Sequence, residues 1–123
     1  MSTADQLATA AAGSAAAVVS RFNAAWTAHD LPGALALISE DCVFESTSPP
    51  DGERSTGIEA IAAAWQPIFG DPASRFTVEE MIEAGNHVVQ LWRYDWGDGH
   101  IRGVDVFAVT AGKISQKLAY VKG

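Results

Sequence analysis

Cysteine is almost missing from this chain. Cys42 stands alone, which excludes an internal disulfide framework and every cysteine-rich zinc pattern. Basic residues are scarce as well: eight Lys and Arg face fifteen Asp and Glu, a formal charge of −7. That balance repels phosphate backbones and anionic lipid, so neither nucleic acid nor a membrane surface is an expected partner. No apolar run approaches about 18 residues, so no transmembrane helix is expected. The three histidines, His29, His87 and His100, form neither an HxH nor an HExxH motif, and no metal is expected. There is no glycine-rich phosphate loop and no sign of a cofactor, and internal repeats are absent.

The beginning also lacks something. Met1 to Ala17 holds no Lys or Arg, and its apolar residues are mostly alanine. A secretory signal needs a basic start and about 7–15 leucine-rich residues. The expectation is an Ala-rich lead-in over 1–17, one domain over 18–123, and a cytoplasmic location. A hydrophobic fraction of 48% over 123 residues suits a single globular domain.

Periodicity supplies the elements. From Ser14 to His29 the large apolar residues Val18, Val19, Phe22 and Trp26 share one helical face. Asp30 offers a cap, and Pro32 suits the first turn of a short second helix with Leu35 and Ile38 inward. Cys42 to Ser46 reads as a strand. Thr47 to Gly57, with two prolines and two glycines, reads as a loop and a candidate lid, with Glu53 and Arg54 within reach of a ligand. Ile58 to Phe69 returns to helical spacing through Ile61, Trp65 and Phe69, and Gly70 ends it.

The period then changes to two. Arg75–Ala84, His87–Trp96, His100–Thr110 and Lys113–Val121 read as an antiparallel meander, turned at Gly85-Asn86, Asp98-Gly99 and Thr110-Ala111-Gly112. The expected fold class is α+β: a curved antiparallel sheet with three helices on its concave face. With Asp98-Gly99 as a two-residue turn, Trp92 lies opposite Asp105. With Thr110 to Gly112 as a three-residue loop, Asp105 lies opposite Lys117. The inward face then carries Gln90, Trp92, Tyr94, Asp105, Phe107 and Lys117. The outward face carries Val89, Leu91, Val104, Val106, Ile114 and Leu118.

Several segments together resemble the nuclear transport factor 2-like superfamily, in its SnoaL-like and ketosteroid-isomerase-like branch. They are Arg21-Phe22-Asn23-Ala24-Ala25-Trp26-Thr27-Ala28-His29-Asp30, Glu40-Asp41-Cys42-Val43-Phe44-Glu45, Gly57-Ile58-Glu59-Ala60-Ile61 and Arg102-Gly103-Val104-Asp105-Val106-Phe107 followed by Gly112-Lys113-Ile114. The resemblance implies a cone in which sheet and helices enclose a pocket, often in a homodimer. It also implies a range of activities, from isomerases, cyclases, epoxide hydrolases and dehydratases to non-catalytic binders. Asp105 matches the position of the ketosteroid isomerase carboxylic acid that bonds the substrate oxyanion. Phe22 falls where that family holds a phenol, and Ser46 where it holds a carboxylate base. The related cyclases and limonene epoxide hydrolases use an acidic residue on the final strand, where this chain presents Ser115, Lys117, Ala119 and Val121.

Asp105 is therefore the candidate catalytic residue, as a general acid or base in an apolar pocket. The alternative is a structural Asp105–Lys117 ion pair at the narrow end of the cone, where the ammonium would favour a base over an acid. Phe22, Trp26, Phe44 and Trp65 are candidates to line a pocket for a small hydrophobic molecule, as are Ser46, Trp92, Tyr94 and Lys117. Two functions follow: cofactor-independent acid–base catalysis of isomerase, cyclase, lyase or hydrolase type, or non-catalytic binding and sensing. The apolar outward face, extended by Ala108 and Tyr120, predicts a homodimer packed sheet to sheet.

Overall fold

The computed structural model describes residues 13–122; residues 1–12 of the expected lead-in lie outside them. Three helices and six strands follow in the order α1 (Ala15–Thr27), α2 (Leu31–Leu35), β1 (Ile38–Glu45), β2 (Arg54–Thr56), α3 (Ile58–Phe69), β3 (Arg75–Ala84), β4 (His87–Asp95), β5 (His100–Thr110) and β6 (Lys113–Val121). The strands form one sheet in the order β2-β1-β6-β5-β4-β3.

Local chemistry explains the helix boundaries. The Ser14 side chain accepts from Ala17 N–H at the start of α1, and Asp30 accepts from Gly33 N–H at the start of α2. Glu83, reaching from β3, accepts from Ala16 N–H at 2.7 Å, placing a carboxylate at the positive end of α1. Val18, Val19 and Phe22 bury the inner face of α1, and Ile61, Trp65 and Phe69 bury that of α3. These side chains form one core with Cys42, Phe44, Val88 and Phe107 from the sheet.

Four details depart from the sequence expectations. Ile38 opens β1 rather than closing the second helix, so that strand begins at 38 and not at 42. The 47–57 segment contains a strand, β2, paired antiparallel with β1 through Val43↔Thr56. β1 also runs parallel to β6, so the sheet is mixed rather than wholly antiparallel. Ile114, expected outward, is fully buried: a bulge at Ser115 of β6 pairs Ile114 with inward-facing Val109 and turns it into the core.

The β4–β5 and β5–β6 hairpins are offset at Asp105 from the expected registers by two residues. Gln90, not Trp92, pairs with Asp105, because the first connection spans Trp96 to Gly99. Ala119, not Lys117, pairs with Asp105: the two-residue turn Ala111-Gly112 moves the register by one, and the bulge at Ser115 moves it by one more. The shift of two preserves side-chain faces around Asp105, where the shift of one between the last turn and the bulge reverses that of Ile114. Asp105, Gln90, Trp92 and Lys117 therefore still point inward.

Gly103 shapes the inner wall. It lies opposite Trp92, whose ring crosses the place a Cβ would occupy: an added Cβ would sit 2.5 Å from Trp92 Cζ2 and 2.3 Å from the Tyr120 carbonyl oxygen. Gly103→Ala should therefore lower stability by about 1–3 kcal/mol and displace the indole. Thermal melting with Trp emission checks this; an unchanged Tm and spectrum would contradict it.

Candidate functional site

A cavity of about 350 Å³ lies between the concave side of the sheet and the helices. Its apolar walls come from Phe22 and Trp26 on α1, Ala64 and Ile68 on α3, and Phe76 and Trp92 on the sheet. Ser48 and Glu53, both exposed, mark its solvent side, together with Ser46 and Thr47 of the β1–β2 connection and Ser55 of β2. Asp105 and Lys117, 1% and 7% exposed, mark its floor.

The floor is a connected polar chain. Lys117 Nζ donates to Asp105 Oδ1 at 3.3 Å, across a diagonal of the β5–β6 ladder. Gln90 Nε2 donates to the other oxygen, Oδ2, at 3.3 Å. Gln90 is itself fully buried and exchanges amide hydrogen bonds with Asn23 of α1, at 2.5 and 3.2 Å. Asp105 thus accepts on both oxygens, each donor held by a different element.

Aromatic rings surround the ammonium. Lys117 Nζ lies 5.1 Å from the ring centroid of Trp26, 5.0 Å from that of Phe44 and 5.9 Å from that of Phe107. Phe44 is there because β1 pairs Phe44 with Lys117 directly. Cation–π attraction offsets part of the cost of removing the charge from water.

Of the residues selected from sequence, Asp105, Phe22, Trp26, Phe44, Ser46 and Trp92 line the cavity, as do Tyr94 and Lys117. Trp65 does not. It is fully buried in the core, its ring 5.5 Å from Phe22 and 5.4 Å from Phe44. At 100° per residue the α3 stripe beside it, Ala64 and Ile68, turns toward the cavity instead. Phe76, Ile68 and Ala64 were not singled out from sequence. The only signal for the α3 pair is their i, i+4 spacing one position before the core stripe.

Ser46 serves the loop. Its Oγ accepts from Glu53 N–H at 2.9 Å and donates to Ser48 Oγ at 3.2 Å, while its own N–H donates to Glu53 O at 2.9 Å. Gly52, at φ +78°, packs against the Ser46 carbonyl, where a Cβ would lie at 2.2 Å. Glu53 lines the cavity, whereas exposed Arg54 pairs with Glu45 at 3.1 Å.

Cys42 and the histidines stand apart. Burial, reinforced by the Asp41 carboxylate, pushes the Cys42 thiol up to about 11, so it stays protonated near neutrality. His29 joins the end of α1 to the α3–β3 loop, Nε2 lying 3.2 Å from both Ser74 Oγ and Ser74 O. His87 and His100 are exposed. Among the described residues no three His, Cys, Asp or Glu side chains gather to hold a metal, and no helix is long and apolar enough to cross a membrane.

The curved sheet, the three helices and the enclosed cavity define the nuclear transport factor 2-like, cystatin-like class of fold. Residues 19–117 match the SnoaL-like domain, and the chain belongs to that family. It is 40% identical to a nuclear transport factor 2-like protein of unknown function from Mesorhizobium loti, with a TM-score of 0.82, covering 89% of this chain and 91% of that one. A candidate ketosteroid isomerase from Kribbella flavida shares 21% identity at a TM-score of 0.76, covering 87% and 76%. A candidate polyketide cyclase from Pseudomonas putida shares 22% at 0.71, covering 89% and 92%. At those identities the last two show the fold alone. No curated protein matches the chain.

Removing one member of the buried pair strands the other. Lys117→Met should cost about 3–5 kcal/mol, and Lys117→Met with Asp105→Leu should recover most of that loss. Urea unfolding of the two variants beside the wild type checks it; equal stability of all three would contradict a coupled buried pair.

Proposed function

We propose that this protein binds a small hydrophobic molecule in the cavity and that Asp105 acts on it by acid–base chemistry supplied by the chain's own side chains. The observation that carries the reading is a buried carboxylate on the floor of an otherwise aromatic cavity. Polar groups are seldom buried without a structural or chemical use, and clefts of this size and lining commonly hold small ligands. The reaction would be of the isomerase, cyclase, lyase or hydrolase kind.

Non-catalytic binding is the second reading, and one observation favours it. Both Asp105 oxygens already accept hydrogen bonds, and the Ser46 hydroxyl is committed to its loop. Exchange of the acidic C–H protons of 1-tetralone for deuterium separates the two. The catalytic reading expects the wild type to accelerate exchange, and Asp105→Asn to remove on the order of 10²-fold or more with its circular dichroism unchanged. Wild-type exchange no faster than buffer, with the ketone bound, would leave binding alone.

We also propose a homodimer through the outward face. Val89, Leu91, Val104 and Val106 form an apolar patch there, Tyr120 is 54% exposed, and no helix among the described residues covers that side. The Arg93–Asp95 and Arg102–Glu79 pairs would form its polar rim. Burying apolar area contributes about 25 cal/mol per Å², part of which offsets association entropy. Sedimentation at micromolar concentration should give twice 13.0 kDa, and Val106→Glu should shift it toward monomer. A wild-type monomer would refute the assembly.

A further inference from the structure

We infer that Lys117 is the group that meets the ligand, and that the ligand is a neutral ring compound whose carbonyl oxygen the ammonium binds. This rests on the cavity being a binding site for a hydrophobic molecule, as proposed above.

Donor arithmetic carries the argument. An ammonium has three N–H donors. Among the described residues Lys117 gives one hydrogen bond, to Asp105 Oδ1. Its other donors meet only the faces of Trp26, Phe44 and Phe107, weaker partners than an oxygen lone pair. At the floor of the cavity the unused capacity is thus on the donor side. Asp105, already accepting from Lys117 and Gln90, adds no donor while it serves both. A ligand that completes the site brings an acceptor.

Charge fixes what kind of acceptor. Asp105 and Lys117 cancel, and Glu53 is the other charged residue of the lining. A carboxylate or phosphate ligand would leave an uncompensated negative charge beside a carboxylate in a poorly solvated space. A neutral carbonyl accepts from the ammonium without that penalty. Its carbon skeleton would lie against Phe22, Trp26, Phe44 and Trp92, which suits a fused or alicyclic ring.

Titration calorimetry of the full chain with three probes tests this: 1-tetralone, its deoxygenated counterpart tetralin, and the anion 2-naphthoate. The wild type should bind 1-tetralone roughly tenfold or more tighter than tetralin, and 2-naphthoate more weakly than the ketone. The infrared carbonyl band of bound 1-tetralone should move to lower wavenumber. In Lys117→Met with Asp105→Leu, where Gln90 keeps Asn23, the ketone preference should fall toward one and the band shift should be lost. Equal wild-type affinity for 1-tetralone and tetralin overturns this inference while leaving the hydrophobic site standing. Tighter binding of 2-naphthoate overturns the neutral-ligand claim. A ketone preference that survives in the double variant removes Lys117 from the contact. Failure of all three probes to bind overturns the cavity reading as well.

Discussion

One buried ion pair constrains the centre of this protein. Two charges removed from water cost several kcal/mol each unless partners replace the lost solvation. Here the partners come from every side. β6 supplies Lys117, β5 supplies Asp105, β4 supplies Gln90, and α1 supplies the Asn23 amide that holds Gln90 in place. β1 adds the Phe44 ring over the ammonium, and α1 adds that of Trp26. The pair thus depends on the helix-to-sheet packing, and that packing must accommodate the pair. Ordinary apolar side chains could fill the same volume without these demands.

The inward placement of these residues was legible in the sequence because side-chain direction in a strand depends only on parity. The Trp96 to Gly99 connection moves the first register by two, and the Ala111-Gly112 turn and the bulge at Ser115 together move the second by two, so Asp105, Gln90, Trp92 and Lys117 keep their face. Partners directly opposite change with the register, so the Gln90–Asp105 contact is not legible in the sequence. Ile114 was misplaced for a different reason: a bulge adds one residue, and one residue reverses a face. β2 was hidden among prolines and glycines because its three residues form a strand only through pairing with β1. Trp65 shows the limit of helical periodicity, which marks a buried stripe without saying whether it borders core or cavity.

Family membership settles architecture and leaves chemistry to the site, as folds that host many activities generally do. The positions brought forward by resemblance divide accordingly. Asp105 is a buried carboxylate on the cavity floor, the Phe22 ring forms wall, and the Ser46 hydroxyl binds its own loop. The departure that matters is the lysine on the final strand. It turns a carboxylate that could stand alone into half of a neutral pair and gives the cavity a cationic donor ringed by aromatics.

In this reading the pair is the polar end of a ligand site, with the ammonium turned to the ligand. A crystal structure of the wild-type protein grown with 1-tetralone tests it most directly. The claim predicts the ketone in the cavity, its ring against Trp26 and Trp92 and its oxygen about 2.7–3.2 Å from Lys117 Nζ. A ketone seated with its oxygen toward Glu53 and the solvent, or a cavity left without it at saturating concentration, would contradict the claim.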